Sequence, residues 1–516
     1  MHLKINSLII GIIFFFSGCS TAAKNIALCT VATGNYTRFV KEFIQSANKN
    51  FLPDHNVSYF IFTDQVLPIE QPNLTVVPWP HKKWPFSTLM RFKAYNSISD
   101  QLQGMDYVFA CDIDMLFVDK IGDEILENLV GAIHPGYYQR DFPTGSLEKN
   151  PKSTAYFIPA KNSKYFAGGF YGGNAKNFIL LVNWCNNNII KDLEQDLIAK
   201  WHDETHLNKY FSIYPPTLKL SPRYCYPQEG TTAYPQLKSI APAIAALSKD
   251  HAKMRKSLPD IDDREFVILI PSYNNIKYYQ KNLDSVYSQT YSKYRVVYID
   301  DLSPDGTGEA VQEYVSKLGK DPITTIIRNQ DRKLALANIY YNIHSQCQDH
   351  EIIVMLDGDD QLANPNVLNI LNEKYKNNDI WMTYGDCYFI NEKVRCHWSQ
   401  AMKDTEIELN RFREWNGAPT HLRTFYTWLF KKIKLDDLLY EGDFYKMTYD
   451  VAILMPMIEM AGFHHMFIDE VLYLYNDNNP ISDHRIDQQL QLDLNKYIRT
   501  KLVKYHPLAK QKEQIS

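Results

Sequence analysis

The stretch Asp106-Tyr-Val-Phe-Ala-Cys-Asp-Ile-Asp-Met115 joins an apolar run to two carboxylates, Asp112 and Asp114. The apolar part, 107–111, predicts a buried β-strand, although a short apolar run is also compatible with a helix. In open α/β sheets, ligands bind beyond the carboxyl ends of the strands. Two carboxylates at such an end suit a divalent cation with oxygen ligands, and hence a phosphate-bearing substrate. The alternative is a strand followed by an acidic turn.

A second acidic motif follows another apolar run in the later half of the chain. Residues 352–356 are apolar and lead directly into Asp357-Gly-Asp-Asp360, which includes Asp359. Because the same order of apolar run and carboxylates recurs, we favour binding sites over acidic turns at both places.

Predicted strands and helices alternate around both motifs, which is typical of parallel-rich α/β sheets. Strands are predicted at 26–32, 57–62, 76–79, 107–111, 266–270, 295–299, 323–327 and 352–356, and helical segments at 37–48, 87–98 and 241–257. A polar break separates two such series, so the prediction is an α/β chain with two tandem Rossmann-like domains. The predicted parts are an N-terminal segment 1–24, a domain 25–258, a linker 259–264, a domain 265–505 and a tail 506–516.

Composition sets broad limits on function. The chain has 516 residues, of which 45% are hydrophobic and 22% charged, and its formal net charge is −4. Charges of mixed sign argue against a nucleic-acid partner. None of the eight cysteines forms a CxxC pair. We therefore predict neither a zinc site nor a disulfide framework, and a reducing compartment is favoured.

Several stretches of the first domain occur in the order found in family 6 glycosyltransferases. They include Ala32-Thr-Gly-Asn-Tyr36, Tyr59-Phe-Ile-Phe-Thr-Asp64, 106–119, 165–173 and Trp201-His-Asp-Glu-Thr-His-Leu-Asn-Lys-Tyr210. Residues 25–258 therefore resemble this family of retaining enzymes, which includes the histo-blood-group A/B transferases and α-1,3-galactosyltransferases. The resemblance implies the GT-A fold, a UDP-sugar donor and a glycan acceptor.

The resemblance also implies a metal and a donor site. The expected cofactor is Mn²⁺ (or Mg²⁺) at Asp112 and Asp114, where it would neutralise the leaving diphosphate. Many bacterial members carry Asn at both positions and need no metal, whereas this chain keeps both aspartates. Tyr36 matches a residue near uracil, and Arg91 matches a donor-contacting arginine. Lys249 and Arg255 match a C-terminal lid over the pyrophosphate.

The catalytic and acceptor residues are implied in the same way. Glu204 matches the catalytic carboxylate opposite the leaving group, where it can act as a nucleophile or stabilise an oxocarbenium ion. His134, Trp201, His202 and Asp203 match acceptor contacts. A solvated helix residue is the alternative interpretation of Glu204.

Three small residues, Ala167, Gly168 and Gly169, occupy the tripeptide that selects the donor in vertebrate members of the family. Small side chains leave room for an N-acetyl group at C2 of the sugar. UDP-GalNAc is therefore the expected donor and UDP-Gal the second choice, with discrimination of about 1–3 kcal/mol from pocket volume alone.

The second domain resembles family 2 glycosyltransferases, which are inverting GT-A enzymes. Matching stretches are Pro271-Ser-Tyr-Asn-Asn275, Ile299-Asp-Asp-Leu-Ser303 and Leu356-Asp-Gly-Asp-Asp360. The resemblance implies donor contacts from Pro271 and Asp301, and a metal and ribose set at Asp357, Asp359 and Asp360. We predict Asp450 as the general base. Its alternative role is the N-cap of a helix at 451–460, and Glu459 and Asp443 are the other candidates for the base.

We therefore predict a bifunctional glycosyltransferase of bacterial surface glycans, such as lipopolysaccharide or capsule. The first domain would transfer GalNAc or Gal in α-1,3 linkage with retention, and the second an unknown sugar with inversion. The alternative is an anchored glycan-binding protein in which one or both transferase sites are inactive.

The N-terminus leaves the location open. Residues 8–16 form an apolar run of the size of a signal-peptide core, shorter than the about 20 residues of a membrane span. Phe16-Ser-Gly-Cys19 resembles a lipoprotein cleavage box. The nucleotide-sugar chemistry instead favours the cytoplasm, so the expectation is the cytoplasm or the cytoplasmic face of the membrane, with anchoring through the N-terminus as one alternative.

Overall fold

The computed structural model describes residues 22–67, 69–140, 146–251, 254, 263–377, 379–481 and 483–508. Within them the chain forms two sheet-rich units, each built on a seven-stranded mixed sheet. This confirms the prediction of an α/β chain with two tandem domains. The lipoprotein-like segment and most of the predicted linker and tail lie outside the described residues. No helix in the described part is both long and apolar enough to cross a membrane.

The first sheet contains strands in the order β3-β2-β1-β4-β7-β6-β8. The strands of this domain are β1 (Asn25–Val31), β2 (Asn56–Thr63), β3 (Leu74–Pro78), β4 (Tyr107–Cys111), β5 (Met115–Phe117), β6 (Leu129–Ile133), β7 (Phe166–Asn174), β8 (Leu218–Leu220), β9 (Tyr226–Pro227) and β10 (Ile244–Ala246). The β3-β2-β1-β4 half is parallel, and β7 runs antiparallel to both β4 and β6. A small sheet of order β5-β10-β9 adjoins it.

The second sheet repeats this design in the order β13-β12-β11-β14-β18-β16-β21. Its domain contains β11 (Phe266–Ser272), β12 (Tyr294–Asp300), β13 (Thr324–Arg328), β14 (Ile352–Met355), β15 (Gln361–Leu362), β16 (Met382–Gly385), β17 (Cys387–Phe389), β18 (Thr420–Tyr426), β19 (Leu439–Tyr440), β20 (Asp443–Phe444), β21 (His465–Phe467) and β22 (Tyr473–Tyr475). The four leading strands are parallel, and β18 is antiparallel to β14 and β16. The repeat is one of architecture.

Helices cover both sheets. In the first domain they are Val40–Asn50, Phe86–Leu89, Arg91–Asn96, Ser99–Leu102, Ala175–Glu194 and His202–Ile213. In the second domain they are Tyr279–Tyr287, Thr307–Lys317, Leu334–Gln346, Val367–Tyr375, Asp404–Glu408, Thr427–Phe430, Tyr449–Ala461, Asp483–Ile486 and Gln488–Lys501. Apolar residues of the sheets and helices form the buried cores, to which the central strands contribute side chains with no exposed surface.

Each acidic motif lies where its sheet changes direction. Strands β4 and β14 end the four-stranded parallel part of their sheets, and each has an antiparallel neighbour on its other side. Both strands are apolar because both faces are covered, and the chain becomes polar where it leaves the sheet. Asp112 and Asp357 therefore sit just beyond strand ends at a switch in the sheet, as ligand-binding residues do in open α/β folds.

Two predicted helices differ from the structure, one in its continuity and one in its type of element. The helix predicted at 87–98 is broken at Met90 into Phe86–Leu89 and Arg91–Asn96. The segment 241–257 contains the strand β10 instead of a helix at its start, because β10 pairs with β5 and β9 at the edge of the small sheet. This tertiary pairing overrides local propensity.

The prediction of no disulfide also needs correction. Cys387 and Cys396 form a disulfide, with their Cα atoms 5.5 Å apart. The two cysteines are nine residues apart, a spacing that does not by itself predict a disulfide. They are close because an antiparallel bridge between Tyr388 and Arg395 brings the segment after β17 back against that strand.

Candidate active sites

Arg91 joins the predicted residues of the first domain. It begins the helix Arg91–Asn96, and only 11% of its side chain is exposed. Its Nη1 donates to Asp112 Oδ1 at 2.7 Å and to the Gly168 carbonyl at 2.9 Å, while its Nε lies 2.9 Å from Asp203 Oδ2. One guanidinium therefore connects the acidic motif, the small-residue strand β7 and the helix His202–Ile213.

Glu204 lies beside this cluster. Its Oε2 accepts the backbone N–H of Gly168 at 2.8 Å, and the buried Tyr165 lies beside it. Burial raises the pKa of Glu204. Burial also raises the pKa of Asp203 to about 7, with the Arg91 charge acting in the opposite direction. The two adjacent carboxyl groups are thus held in a poorly solvated cleft, where proton affinity is shifted.

Strand β7 places its backbone next to Asp112 on one side and Asp203 on the other. Asp112 N–H donates to the Gly169 carbonyl at 2.9 Å. A Cβ atom at Gly168 would lie 3.4 Å from Asp203 Oδ2, and one at Gly169 would lie 3.5 Å from Asp112 Oδ2. Ala167 is buried. The predicted donor tripeptide therefore forms a wall of the cleft, and side-chain size there controls its volume.

Lys249 lies against the other carboxylate of the motif. Its ammonium group pairs with Asp114 and lies 5.7 Å from the ring centroid of Tyr36. Leu247 N–H donates to the Asp114 carbonyl at 2.9 Å, which fixes the segment that follows β10. Three residues predicted from different parts of the sequence thus meet. Arg255 lies outside the described residues.

The first acidic motif fits a divalent cation. Asp112 and Asp114 offer hard oxygen ligands from one turn, and each is paired with a cation of the chain. Among the described residues no third carboxylate, His or Cys completes a metal-ligating group here. Mg²⁺-type ions are held by one or two carboxylates, with phosphate oxygens of a substrate completing the shell. The pair is therefore suited to a metal that arrives with a diphosphate.

The predicted acceptor residues form an aromatic flank. The His134 ring packs on Tyr137 and Tyr165 at centroid distances of 5.0 and 5.8 Å. Its ring accepts the Gly136 N–H, and burial lowers the pKa of His134 to about 4. The His202 ring lies 5.0 Å from that of Trp84.

Trp201 differs from these residues because 48% of it is exposed. It precedes the helix His202–Ile213, whose first turn carries Asp203 and Glu204. An exposed indole beside a buried carboxylate offers a surface on which a sugar ring can stack.

In the second domain, Arg423 joins Asp357 and Asp450. Its Nη2 donates to Asp357 Oδ2 at 2.9 Å, and its Nη1 lies 3.9 Å from Asp450 Oδ2. Tyr449 donates its hydroxyl to Asp357 Oδ1 at 2.6 Å. The helix Tyr449–Ala461 and strand β18 thus bring the predicted base to the acidic motif.

The three carboxylates of that motif have different surroundings. Asp359 Oδ2 accepts the side-chain N–H of Asn479, and burial raises the pKa of Asp359 to about 6. Asp360 is buried, and its oxygens accept the Tyr473 hydroxyl at 2.6 Å and the Asn476 N–H at 2.7 Å. The oxygens of Asp360 thus accept hydrogen bonds from the chain itself, as those of Asp357 do, and its place among the metal ligands stays a prediction.

The alternatives for Asp450 are distinguished by position. Thr448, and not Asp450, is the N-cap of the helix Tyr449–Ala461. Glu459 is fully buried in a two-pronged ion pair with Arg413, at 2.6 and 2.8 Å. Asp443 lies in the β19–β20 hairpin. Asp450 alone among them contacts the cluster around Asp357 in the described residues.

The predicted nucleotide contacts of the second domain lie at the ends of the parallel strands. Pro271 is the penultimate residue of β11, and Asp301 directly follows β12. Asp301 accepts N–H groups from Lys333, Leu334 and Asn329. Burial raises its pKa, but hydrogen bonds from Asn338 and from these residues outweigh burial and lower it overall. Its carboxylate is thus ionised and held in place.

Sequence reasoning missed several residues of both sites. Tyr165, Arg423 and Tyr473 contact predicted carboxylates, yet no role was predicted for them. Tyr165 lies inside the stretch 165–173 that carries the family 6 resemblance, so its position was a signal. For Tyr473 the sequence holds no such signal, because only the pairing of β22 with β15 and β17 brings this residue to Asp360.

Comparison with known proteins identifies both domains. The family model for Glycosyltransferase family 6 matches residues 19–256. The histo-blood group ABO system transferase 1 of Rattus norvegicus is 32% identical over 239 residues, which are 45% of this chain and 68% of that protein. The chain belongs to glycosyltransferase family 6. The model for Glycosyl transferase family 2 matches residues 267–439.

Further relatives match the family 6 domain. The O-antigen biosynthesis glycosyltransferase WbnI of Escherichia coli is 33% identical over 203 residues, covering 39% of this chain and 86% of that protein. The human globoside alpha-1,3-N-acetylgalactosaminyltransferase 1 is 30% identical over 247 residues, covering 45% and 68%. This family 6 protein is therefore a hexosyltransferase with two tandem glycosyltransferase domains.

Proposed function

We propose that the family 6 domain transfers GalNAc, with Gal as the second choice, from a UDP-sugar to a glycan in α-1,3 linkage with retention. The observation that carries the proposal is the convergence of Asp112, Gly168 and Asp203 on Arg91, with Glu204 beside them. The cations beside Asp112 and Asp114 suit the negative diphosphate of the donor. The buried Glu204 carboxylate suits the positive charge that develops at the anomeric carbon of the sugar.

The roles of the side chains follow from their positions. Mn²⁺ or Mg²⁺ held by Asp112 and Asp114 would offset the charge that develops on the leaving diphosphate. Arg91 orients the donor while holding Asp112, and Lys249 moves with the diphosphate when it enters. The Glu204 carboxylate, held by the Gly168 N–H, stabilises positive charge at the anomeric carbon or attacks it. His134, Trp201, His202 and Asp203 bind the acceptor.

The choice of GalNAc rests on Ala167, Gly168 and Gly169. Any larger side chain at Gly168 would fill the cleft beside Asp203 and Glu204, because an added Cβ there already lies 3.4 Å from Asp203 Oδ2, so the small residues favour a donor with an N-acetyl group. The relatives named as N-acetylgalactosaminyltransferases support this choice.

The family 2 domain transfers an unidentified sugar with inversion in this proposal. Asp450 takes the proton of the acceptor hydroxyl, because its carboxylate is partly exposed near Arg423 and Asp357. Asp357 and Asp359 would hold the metal, where it would offset charge on the leaving diphosphate, while Pro271 and Asp301 shape the nucleotide site. Asp360 supports the motif from the interior.

Fusion of two transferases suggests successive additions to one bacterial surface glycan, lipopolysaccharide or capsule. The name of the Escherichia coli relative, an O-antigen biosynthesis enzyme, supports this setting. Because nucleotide sugars are made inside the cell, we place the reaction in the cytoplasm or on the cytoplasmic face of the membrane.

A donor panel tests the first assignment. The full chain is incubated with Mn²⁺ and UDP-GalNAc, UDP-Gal, UDP-GlcNAc or UDP-Glc, and UDP release is measured with a panel of galactose-terminated acceptors. Faster turnover of UDP-GalNAc is expected. A clear preference for UDP-Gal would refute the choice of donor.

The second candidate function is a glycan-binding role with one transferase site inactive. The pairing of both metal-motif aspartates with Arg91 and Lys249 is the observation in its favour, because chain cations fill the site. Asp112→Ala and Asp359→Ala, each assayed for both linkages, decide between one active domain and two.

A further inference from the structure

The two domains meet at a buried carboxylate, Glu408, which ends the helix Asp404–Glu408. Its side chain has no exposed surface, and its Oε2 and Oε1 lie 2.6 and 3.1 Å from the Nζ atoms of Lys82 and Lys93. Both lysines belong to the family 6 domain, whereas Glu408 belongs to the other. Burial lowers the pKa of Lys82, and the charge of Glu408 opposes this shift.

Lys93 connects this contact to the first active site. It lies in the same six-residue helix as Arg91, two positions further along the chain. Phe92 and Ala94 of this helix are buried in the core. Because Arg91 and Lys93 share this short helix, in the proposed coupling a shift at Lys93 is passed to Arg91. Arg91 in turn holds Asp112 and Asp203.

The interface around Glu408 depends on charge as well as packing. Phe86 lies 5.2 Å from Phe463 of the other domain, measured between ring centroids. Beside these rings and Glu408, both domains line a cavity of about 370 Å³. The interface is not closely packed there, and Glu408 with Lys82 and Lys93 supplies charged contacts across it. Asp196 adds a further ion pair with Lys403 at 2.6 Å.

We infer that Glu408 is a positioning residue of the first active site, acting through Lys93 on Arg91. The family 6 domain therefore depends on the family 2 domain for its donor geometry, and not for its chemistry. The inference rests on the proposed role of Arg91 in donor binding.

The test uses full-length variants Glu408→Gln and Lys93→Met, with Asp404→Asn as the control. Asp404 pairs with Lys83 at the rim of the same interface, and both side chains are partly exposed. The KM for UDP-GalNAc should rise about tenfold in both test variants, with a smaller change in kcat. The control should stay within twofold of wild type. Lys93→Met keeps the buried Lys82–Glu408 pair, so it guards against loss of folding.

A double-mutant cycle separates positioning from a general structural role. Combined with Arg91→Lys, Glu408→Gln should add almost nothing to the rise in KM, because both changes disturb the same contact. Additive effects would overturn the inference, as would unchanged donor KM in both single variants. A wild type that neither binds nor turns over any UDP-sugar would refute the proposed function itself, and the inference with it.

Discussion

Lys249 holds its ammonium group against the carboxylate of Asp114, whose side chain is only 9% exposed. The chain thus places its own positive charge where we propose that the metal binds. Two cations repel each other at such short range. The arriving metal and diphosphate must therefore displace this ammonium group from Asp114, and the diphosphate is its natural new partner.

Replacing Lys249 by Met should separate these two roles. Without donor, Mn²⁺ should bind more tightly by a few-fold, because the competing charge is gone. With donor, the KM should rise about tenfold or more, because a charge-assisted contact to the diphosphate is lost. Calorimetric Mn²⁺ titration and donor kinetics measure the two effects. Lys120→Met, at an exposed pair with Asp54, is the control and should change neither.

Glu204→Gln should abolish transfer while leaving donor binding intact. The amide keeps the size of the side chain but cannot stabilise or attack a positive anomeric carbon, so kcat should fall about a hundredfold or more. The Kd for UDP-GalNAc, measured by calorimetry, should stay within a few-fold. Glu42→Gln, on the exposed face of the helix Val40–Asn50, is the control. A variant with near wild-type kcat would remove Glu204 from the mechanism.

Gly168→Ala should shift donor preference toward Gal. The added Cβ meets Asp203 Oδ2 at 3.4 Å and Glu204 Cβ at 3.5 Å, which are ordinary contacts, so the fold should tolerate it. The cleft loses volume beside the sugar, and the GalNAc-to-Gal ratio of kcat/KM should drop about tenfold. Gly104→Ala, whose Cβ would meet only a carbonyl at 3.6 Å, controls for the substitution. An unchanged ratio would exclude Gly168 from sugar selection.

Asp450→Asn and Glu459→Gln should fail in different ways. Asp450 is partly exposed, so its variant should fold normally but lose transfer by the second domain. Glu459 is buried against Arg413, and Gln leaves that charge uncompensated, at a cost of about 3–5 kcal/mol in unfolding free energy. Thermal unfolding and second-domain transfer assays distinguish them. Full transfer by Asp450→Asn would eliminate it as the base.

His134 should remain neutral well below the pH at which free histidine is protonated. Burial lowers its folded pKa from 6.5 to about 4. Between these pH values the unfolded chain binds more protons at His134 than the folded chain does. The free energy of unfolding is therefore unaffected by His134 above pH 6.5 and decreases as the pH falls toward 4. For one proton the free energy of unfolding decreases by about 1.4 kcal/mol per pH unit in this range.

NMR of ¹³C-labelled histidines should show this titration near pH 4, with His134→Gln identifying the signal. That variant should also lose less unfolding free energy than wild type between pH 6.5 and 4. A His134 signal that titrates near pH 6.5 would contradict the argument that burial lowers its pKa.

The sequence predicts the sheet-forming strands because their apolar runs are short, continuous and bounded by polar residues. Strands β1, β4, β11 and β14 lie within a residue or two of their predicted bounds. The failures arise where tertiary contacts decide. The strand β10 exists only because it pairs with β5, and the helix predicted at 87–98 is interrupted at Met90.

In the candidate sites, too, local features could be predicted and long-range contacts could not. Asp112, Asp114 and Glu204 could be selected because strand ends and family motifs are local features. The contacts that organise them are not local, since Arg91 reaches Gly168 and Asp203, far along the chain. Glu408 lies still further from Lys93, in another domain, and nothing in the spacing of the sequence indicates that pair.

The central claim is that Asp112 and Asp114 make the family 6 domain a metal-dependent, retaining transferase. The most direct measurement follows the anomeric configuration and rate of product formation from UDP-GalNAc by NMR. The assay uses the Asp359→Ala variant, which we expect to silence the other domain, and is run with Mn²⁺ and with excess chelator. We predict an α-linked product with Mn²⁺, and none with chelator or after the further change Asp112→Asn. A β-linked product, or full activity in chelator, would contradict the account.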